Sequence, residues 1–138
     1  MTFKIIGAAF VGWLLLAVSA PGQQSAARQW DEEALAAIRI DSPRPPVHAR
    51  NLFHLSVAMY DAWAAYDPIA RGYLFTEKIT PTQDVETARA ESISYAAFRV
   101  LLQRYQVSAN PATIRAALVS KMNALGYPTI ITTTVGNS

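Results

Sequence analysis

Arg44-Pro45-Pro46-Val47-His48-Ala49-Arg50-Asn51-Leu52-Phe53-His54-Leu55-Ser56-Val57-Ala58-Met59-Tyr60-Asp61-Ala62-Trp63 is the stretch that decides the fold. Proline at the first helical position sacrifices an N–H that has no partner there anyway, so the double proline opens a helix. At 100° per residue, Ala62, Leu55, Met59, Leu52 and Trp63 fill one arc, and Tyr60, Phe53, Ala64 and Val57 continue it. The apolar arc exceeds half the circumference, wider than the stripe of a surface helix. Such a helix needs cover on most sides. It ends at about Tyr66, before Asp67-Pro68.

Working outward, three more helices and no strand are expected, which makes the fold all-α. The first spans about Arg28 to Ile40, with Asp31, Glu32 and Glu33 in its first turn, where the helix dipole favours negative charge. Trp30, Ala34, Leu35 and Ile38 recur at helical spacing as its buried stripe. The third begins with a capping box of Thr80 and Gln83 around Pro81 and runs to about Tyr105. It should bury Ala88, Tyr95, Phe98, Leu101 and Leu102. The fourth opens at Asn110-Pro111, buries Ile114, Leu118, Met122 and Leu125, and stops at Gly126. Between the second and third, the apolar Tyr73-Leu74-Phe75 should lie across the bundle.

The ends read differently. Lys4 precedes sixteen uncharged residues, Ile5 to Ala20, and then the small residues Val18-Ser19-Ala20 close the run. That is the layout of a secretory signal, with cleavage after Ala20 and Gly22 as the fallback. An uncleaved membrane anchor is the alternative. Residues 21–27 read as a linker, 28–126 as the helical bundle, and Tyr127 to Ser138 as an irregular tail. The expected location is therefore outside the cytoplasm, periplasmic or extracellular.

Composition narrows the chemistry. Hydrophobic residues make up 51% of the 138, enough to exclude disorder over most of the length. The net charge of +2 comes from 12 basic and 10 acidic residues without a basic run, so no nucleic-acid partner is expected. The absence of cysteine excludes a thiol nucleophile, a disulfide framework and a Cys-type zinc site.

One constellation could carry chemistry: Arg50, His54 and Asp61, a polar stripe within a narrow arc of the second helix. Arg50 and Asp61 stand about 16 Å apart along the axis at 1.5 Å per residue, too far for one compact site. The expectation is that each is satisfied by hydrogen bonds to neighbouring segments, as buried polar groups generally are. His48 and His54 are six residues apart on different helix faces and cannot share a metal; a helical pair needs a spacing of three or four. Ser56, Ser92 and Ser94 sit mid-helix, without the Gly-x-Ser-x-Gly elbow of a serine nucleophile. No residue is expected to be catalytic, to bind a cofactor or to ligate a metal.

Trp30-Asp31 with Leu35, Ile38-Arg39 and Asp41, then Arg44-Pro45, His48-Ala49-Arg50 with Leu52, and Ala58-Met59-Tyr60-Asp61-Ala62-Trp63 together resemble the N-terminal helical region of bacterial vanadium-dependent haloperoxidase-like proteins. These share a superfamily with type 2 phosphatidic acid phosphatases. The similarity extends through Ser94-Tyr95-Ala96-Ala97 to Leu125-Gly126-Tyr127. The resemblance implies a parent enzyme that binds vanadate or phosphate through a Lys/Arg pair, a Ser-Gly-His element and a final Arg and His. None of those motifs is present. Arg44-Pro45 echoes part of the first, but Ala37 stands where its lysine is expected, and no Gly-His or Ser-Arg pair occurs. The implied role is a scaffold segment whose partner, the catalytic bundle of the same protein, lies beyond Ser138. A free-standing exported helical module that binds a partner protein is the alternative.

Overall fold

Ser25 and Asp84 fix the starts of two helices through their side chains, and Pro45 and Pro111 fix the other two. The computed structural model describes residues 24–130, and within them the chain forms α1 (Ala26–Ile40), α2 (Pro45–Ala64), α3 (Val85–Tyr105) and α4 (Pro111–Ala124), with no strand. The fold is all-α. The expected signal segment, with its cleavage after Ala20, lies outside the described residues, as does most of the expected tail. None of the described helices is long and apolar enough to cross a membrane.

The second and fourth helices begin where the prolines place them. α2 ends two residues before the expected Tyr66: the amides of Ala65, Tyr66 and Asp67 bond to Asp61, Trp63 and Ala64 as the last turn tightens. α4 closes on Gly126 at a φ of 76°, with Tyr127 N–H reaching Met122 O at 2.9 Å. That six-to-one bond is the Schellman arrangement, which uses the left-handed conformation glycine adopts without strain.

Two starts differ from expectation. α1 begins at Ala26, where Ser25 Oγ accepts the Arg28 amide at 3.2 Å, so Asp31, Glu32 and Glu33 fall in the second turn. The Thr80–Gln83 capping box does not form. Asp84 caps α3 instead, accepting the Thr87 amide at 3.0 Å, and Gln83 donates to Glu91. A carboxylate offers a charged acceptor to the helix dipole, and it outcompetes the threonine hydroxyl four residues earlier.

α3 is the hub. It packs along α2 and also receives α1 and α4, whereas α1 touches α2 and α4 only lightly. The core contains Trp30, Leu55, Leu101, Leu118 and Met122, all essentially inaccessible to solvent. Ala34 and Ala37 bring α1 close against it. Leu35 does not join them; it is 36% exposed, because the buried face of α1 runs through the 30, 34 and 37 positions. Tyr95, Leu102 and Leu125 are half-buried around the core rather than inside it.

The α1–α2 corner is stitched to the α3–α4 turn through Asp41. Its carboxylate accepts the Ala109 amide at 3.1 Å and pairs with Arg44 at 3.1 Å, while Asn110 Nδ2 donates to Ile40 O at 2.6 Å. Burial alone would raise the Asp41 pKa, but the amides of Ala109 and Ser42, the Ser108 hydroxyl and Arg44 together lower it to about 2.

Candidate functional site: the groove between α2 and α3

After α2 the chain turns back along its own helix. Lys78 Nζ donates to Ala64 O at 2.8 Å and also to Ala70 O, and Ile79 N–H donates to Ala65 O at 2.9 Å. These bonds cap the α2 C-terminus, where a cation suits the exposed carbonyls. Asp67 accepts the amides of Ile69 at 3.0 Å and Ala70 at 2.7 Å, and holds Arg89 of α3 at 3.1 Å. Those amides, more than Arg89, pull its carboxyl below the usual range. Arg89 in turn pairs with Glu86 and lies 5.1 Å over the Trp63 ring. The segment from Asp67 to Ile79 is thus a strap fastened at both ends.

Asp61 holds its middle. The amides of Tyr73, Leu74 and Phe75 all donate to the Asp61 carboxylate, Leu74 at 2.8 Å and Phe75 at 3.0 Å. Tyr60 adds a bond from its hydroxyl to Arg71 O at 3.1 Å. The expected crossing by Tyr73-Leu74-Phe75 is therefore present, and its anchor is the buried aspartate of the stripe.

The stripe divides along the axis. Asp61 is buried, His54 is half-buried and Arg50 is exposed, although all three lie near one face. The physical reason is that the strap reaches only the C-terminal part of α2. The expectation that each stripe residue is a satisfied buried group thus holds for Asp61 and fails for Arg50. It fails for His54 as well, whose Nδ1 is buried without a hydrogen-bond partner among the described residues. His48, which was set aside as a metal ligand, is tied locally: its Nε2 lies 3.0 Å from Ser42 O and 3.3 Å from the Arg44 amide nitrogen. No group of three potential metal ligands occurs among the described residues.

Between α2, α3 and the strap lies an open groove of about 650 Å³. Phe53, Val57, Ala58 and Ala62 of α2 face Ala96 and Val100 of α3, and Tyr73 to Phe75 form the third wall. Asp61 lies at the strap end of this stretch of α2; His54 lies at the other, and Arg104 reaches the groove from α3. Desolvation, then Arg104 and then Arg50, lower the His54 pKa below its usual value. Arg104 is the residue that sequence reasoning missed. Fifty residues separate it from His54, and no local pattern marks the pair; only the packing of α3 against α2 joins them.

This end of the groove does not fit a bare tetrahedral oxyanion. Such an ion needs several converging, enclosed donors, yet Arg50 and Arg104 are both exposed. The three consecutive strap amides that could cradle an anion are already filled by Asp61. No protein-family model, curated protein or solved structure matches the chain.

Proposed function

We propose that these helices are the scaffold segment of an exported vanadium haloperoxidase-like or phosphatase-like enzyme, supporting a catalytic bundle elsewhere in the same protein. One observation carries the reading: two polar side chains of the family-like helix, Asp61 and His48, are committed to holding structure. Asp61 is consumed by the strap amides and His48 by the Ser42–Arg44 corner. The Arg-Pro, His-Ala-Arg and Met-Tyr-Asp-Ala-Trp pattern then serves as a packing signature. Vanadate or phosphate would be bound by the catalytic bundle alone.

The test has two arms. The reading frame after the Ser138 codon should encode the Lys/Arg, Ser-Gly-His and Arg/His elements; a stop codon there without them would sink the proposal. The purified chain should show neither vanadate-dependent bromination nor phosphomonoester hydrolysis. Vanadate-dependent turnover abolished by His54→Ala in a folded protein would also reject it.

A second reading, an exported helical module that binds a partner protein, is favoured by the apolar side chains standing out from α2 and the strap. Phe53 is 58% and Leu74 78% exposed, with Tyr60 and Tyr73 beside them. Exposed clusters of this kind mark interaction surfaces. The same reading frame separates the two, since only the scaffold reading requires catalytic motifs downstream.

A further inference from the structure

We infer that the groove between α2, α3 and the strap binds an unbranched amphiphile with an anionic carboxylate head, its tail along Val57, Ala58, Ala62 and Val100 and its head at Arg104 and His54. The inference is independent of the scaffold proposal, and either can fail without the other.

Three observations converge on that chemistry. The volume, about 650 Å³, falls among cavities that take small organic ligands. Between Asp61, which is occupied by the strap amides, and the His54–Arg104 end the walls are apolar, so a ligand that fits must be apolar over most of its length and polar at one tip. The charge of the polar tip is set by what surrounds it. Neither Arg50 nor Arg104 forms an ion pair among the described residues. The one carboxylate lining the groove, Asp61, has both oxygens engaged by the strap amides.

The balance of terms explains why an amphiphile fits where a bare oxyanion does not. An exposed guanidinium contributes little on its own. Tail burial supplies most of the affinity, about fourfold per methylene covered, and the cationic end selects which way the ligand lies. From His54 to Asp61 the groove follows seven residues of α2, about 10 Å. The tail is therefore short, and affinity should stop rising once the chain is longer than the groove.

Decanoate, used below its micelle-forming concentration, is the probe. Titrated into the full chain and followed by ¹H–¹⁵N NMR, it should bind saturably, with shifts centred on Ala58, Ala62, Val100 and Leu74. It should bind more tightly than hexanoate, and its binding should raise the His54 pKa. Arg104→Gln should weaken decanoate by about two- to fivefold, the effect of one exposed ion pair, while leaving decanol unaffected. Ala58→Trp, which fills the groove, should abolish binding of both; circular dichroism checks that each variant is folded. Equal affinity for decanoate, decanol and decyltrimethylammonium would overturn the inference. So would shifts confined to residues 1–20. Self-association through Leu74 that decanoate does not disturb would assign the groove to a second copy and equally overturn it.

Discussion

A Cβ placed on Gly72 would stand 3.1 Å from Oδ1 of Asp61 and 1.8 Å from the carbonyl oxygen of Phe75. The strap winds so tightly round the carboxylate that the residue entering the turn has no room for a methyl group. Gly126 contrasts with it. Nothing lies within 4 Å of its Cβ position, and its requirement for glycine comes from the positive φ alone.

The two glycines should therefore respond differently to alanine. Gly72→Ala must displace backbone, at about 1–3 kcal/mol for an overpacked site, and should speed amide exchange at Tyr73, Leu74 and Phe75. Gly126→Ala meets only left-handed strain, about 1–2 kcal/mol, and should leave the strap amides protected. Urea unfolding with residue-resolved hydrogen exchange measures both. Strap protection unchanged in Gly72→Ala would contradict the close approach.

Removing the Asp61 carboxylate leaves three strap amides without their acceptor. Asp61→Ala should cost about 2–4 kcal/mol, because bonds to a charged acceptor are strong and their loss strands buried donors. Asp61→Asn keeps one acceptor oxygen and should cost about half as much. Equal stability of Asp61→Ala and the parent in urea would show that the strap is not anchored there.

These anchors indicate what a sequence can show. Pro45, Pro46 and Pro111 act through their own rings, so two helix starts were legible, as were the spacing of Ile114, Leu118 and Met122 and the stop at Gly126. Local rules faltered where two candidates competed within a few residues, as with Thr80 against Asp84 and Leu35 against Ala37. Helical phase placed Arg50 and Asp61 near one face, yet it carries no information about how far the strap extends. The convergence of His54 and Arg104 on one groove was illegible for the same reason: it exists only through the docking of α3.

The cap of α3 separates the competing starts by experiment. Asp84→Ala should lower the thermal midpoint and fray the first turn of α3, because the Thr87 amide loses its acceptor. Thr80→Ala and Gln83→Ala should leave the helix start unchanged. Chemical shifts of Val85 to Ala88 report each outcome, and fraying in Thr80→Ala would restore the earlier boundary.

Stability should fall with acid in two windows. Below about pH 6.5 the unfolded chain protonates His54, while in the fold the same imidazole resists because desolvation, Arg104 and Arg50 lower its pKa. Unfolding therefore becomes easier as pH drops through that range, and His54→Gln should flatten this slope. Asp41, despite the upward effect of its burial, is held at about 2 by its amide, hydroxyl and arginine partners, and Asp67 and Asp84 are also lowered. Their contribution is complete above the unfolded carboxylate value near 3.8 and is lost as pH falls below it, for Asp41 through about 2. Asp41→Asn should be less stable than the parent at pH 7, and the two should converge near pH 2. Chemical denaturation at stepped pH measures both windows.

Because α3 is the hub, order of synthesis matters for α1. A ribosome adding about 5–20 residues per second takes roughly 3–13 s to proceed from Ile40 to Tyr105. During that interval Trp30, Ala34 and Ala37 have been made but the helix they pack against has not been completed. The nascent chain therefore carries an unsheltered tryptophan face for seconds, a window in which a holding chaperone has something to grip.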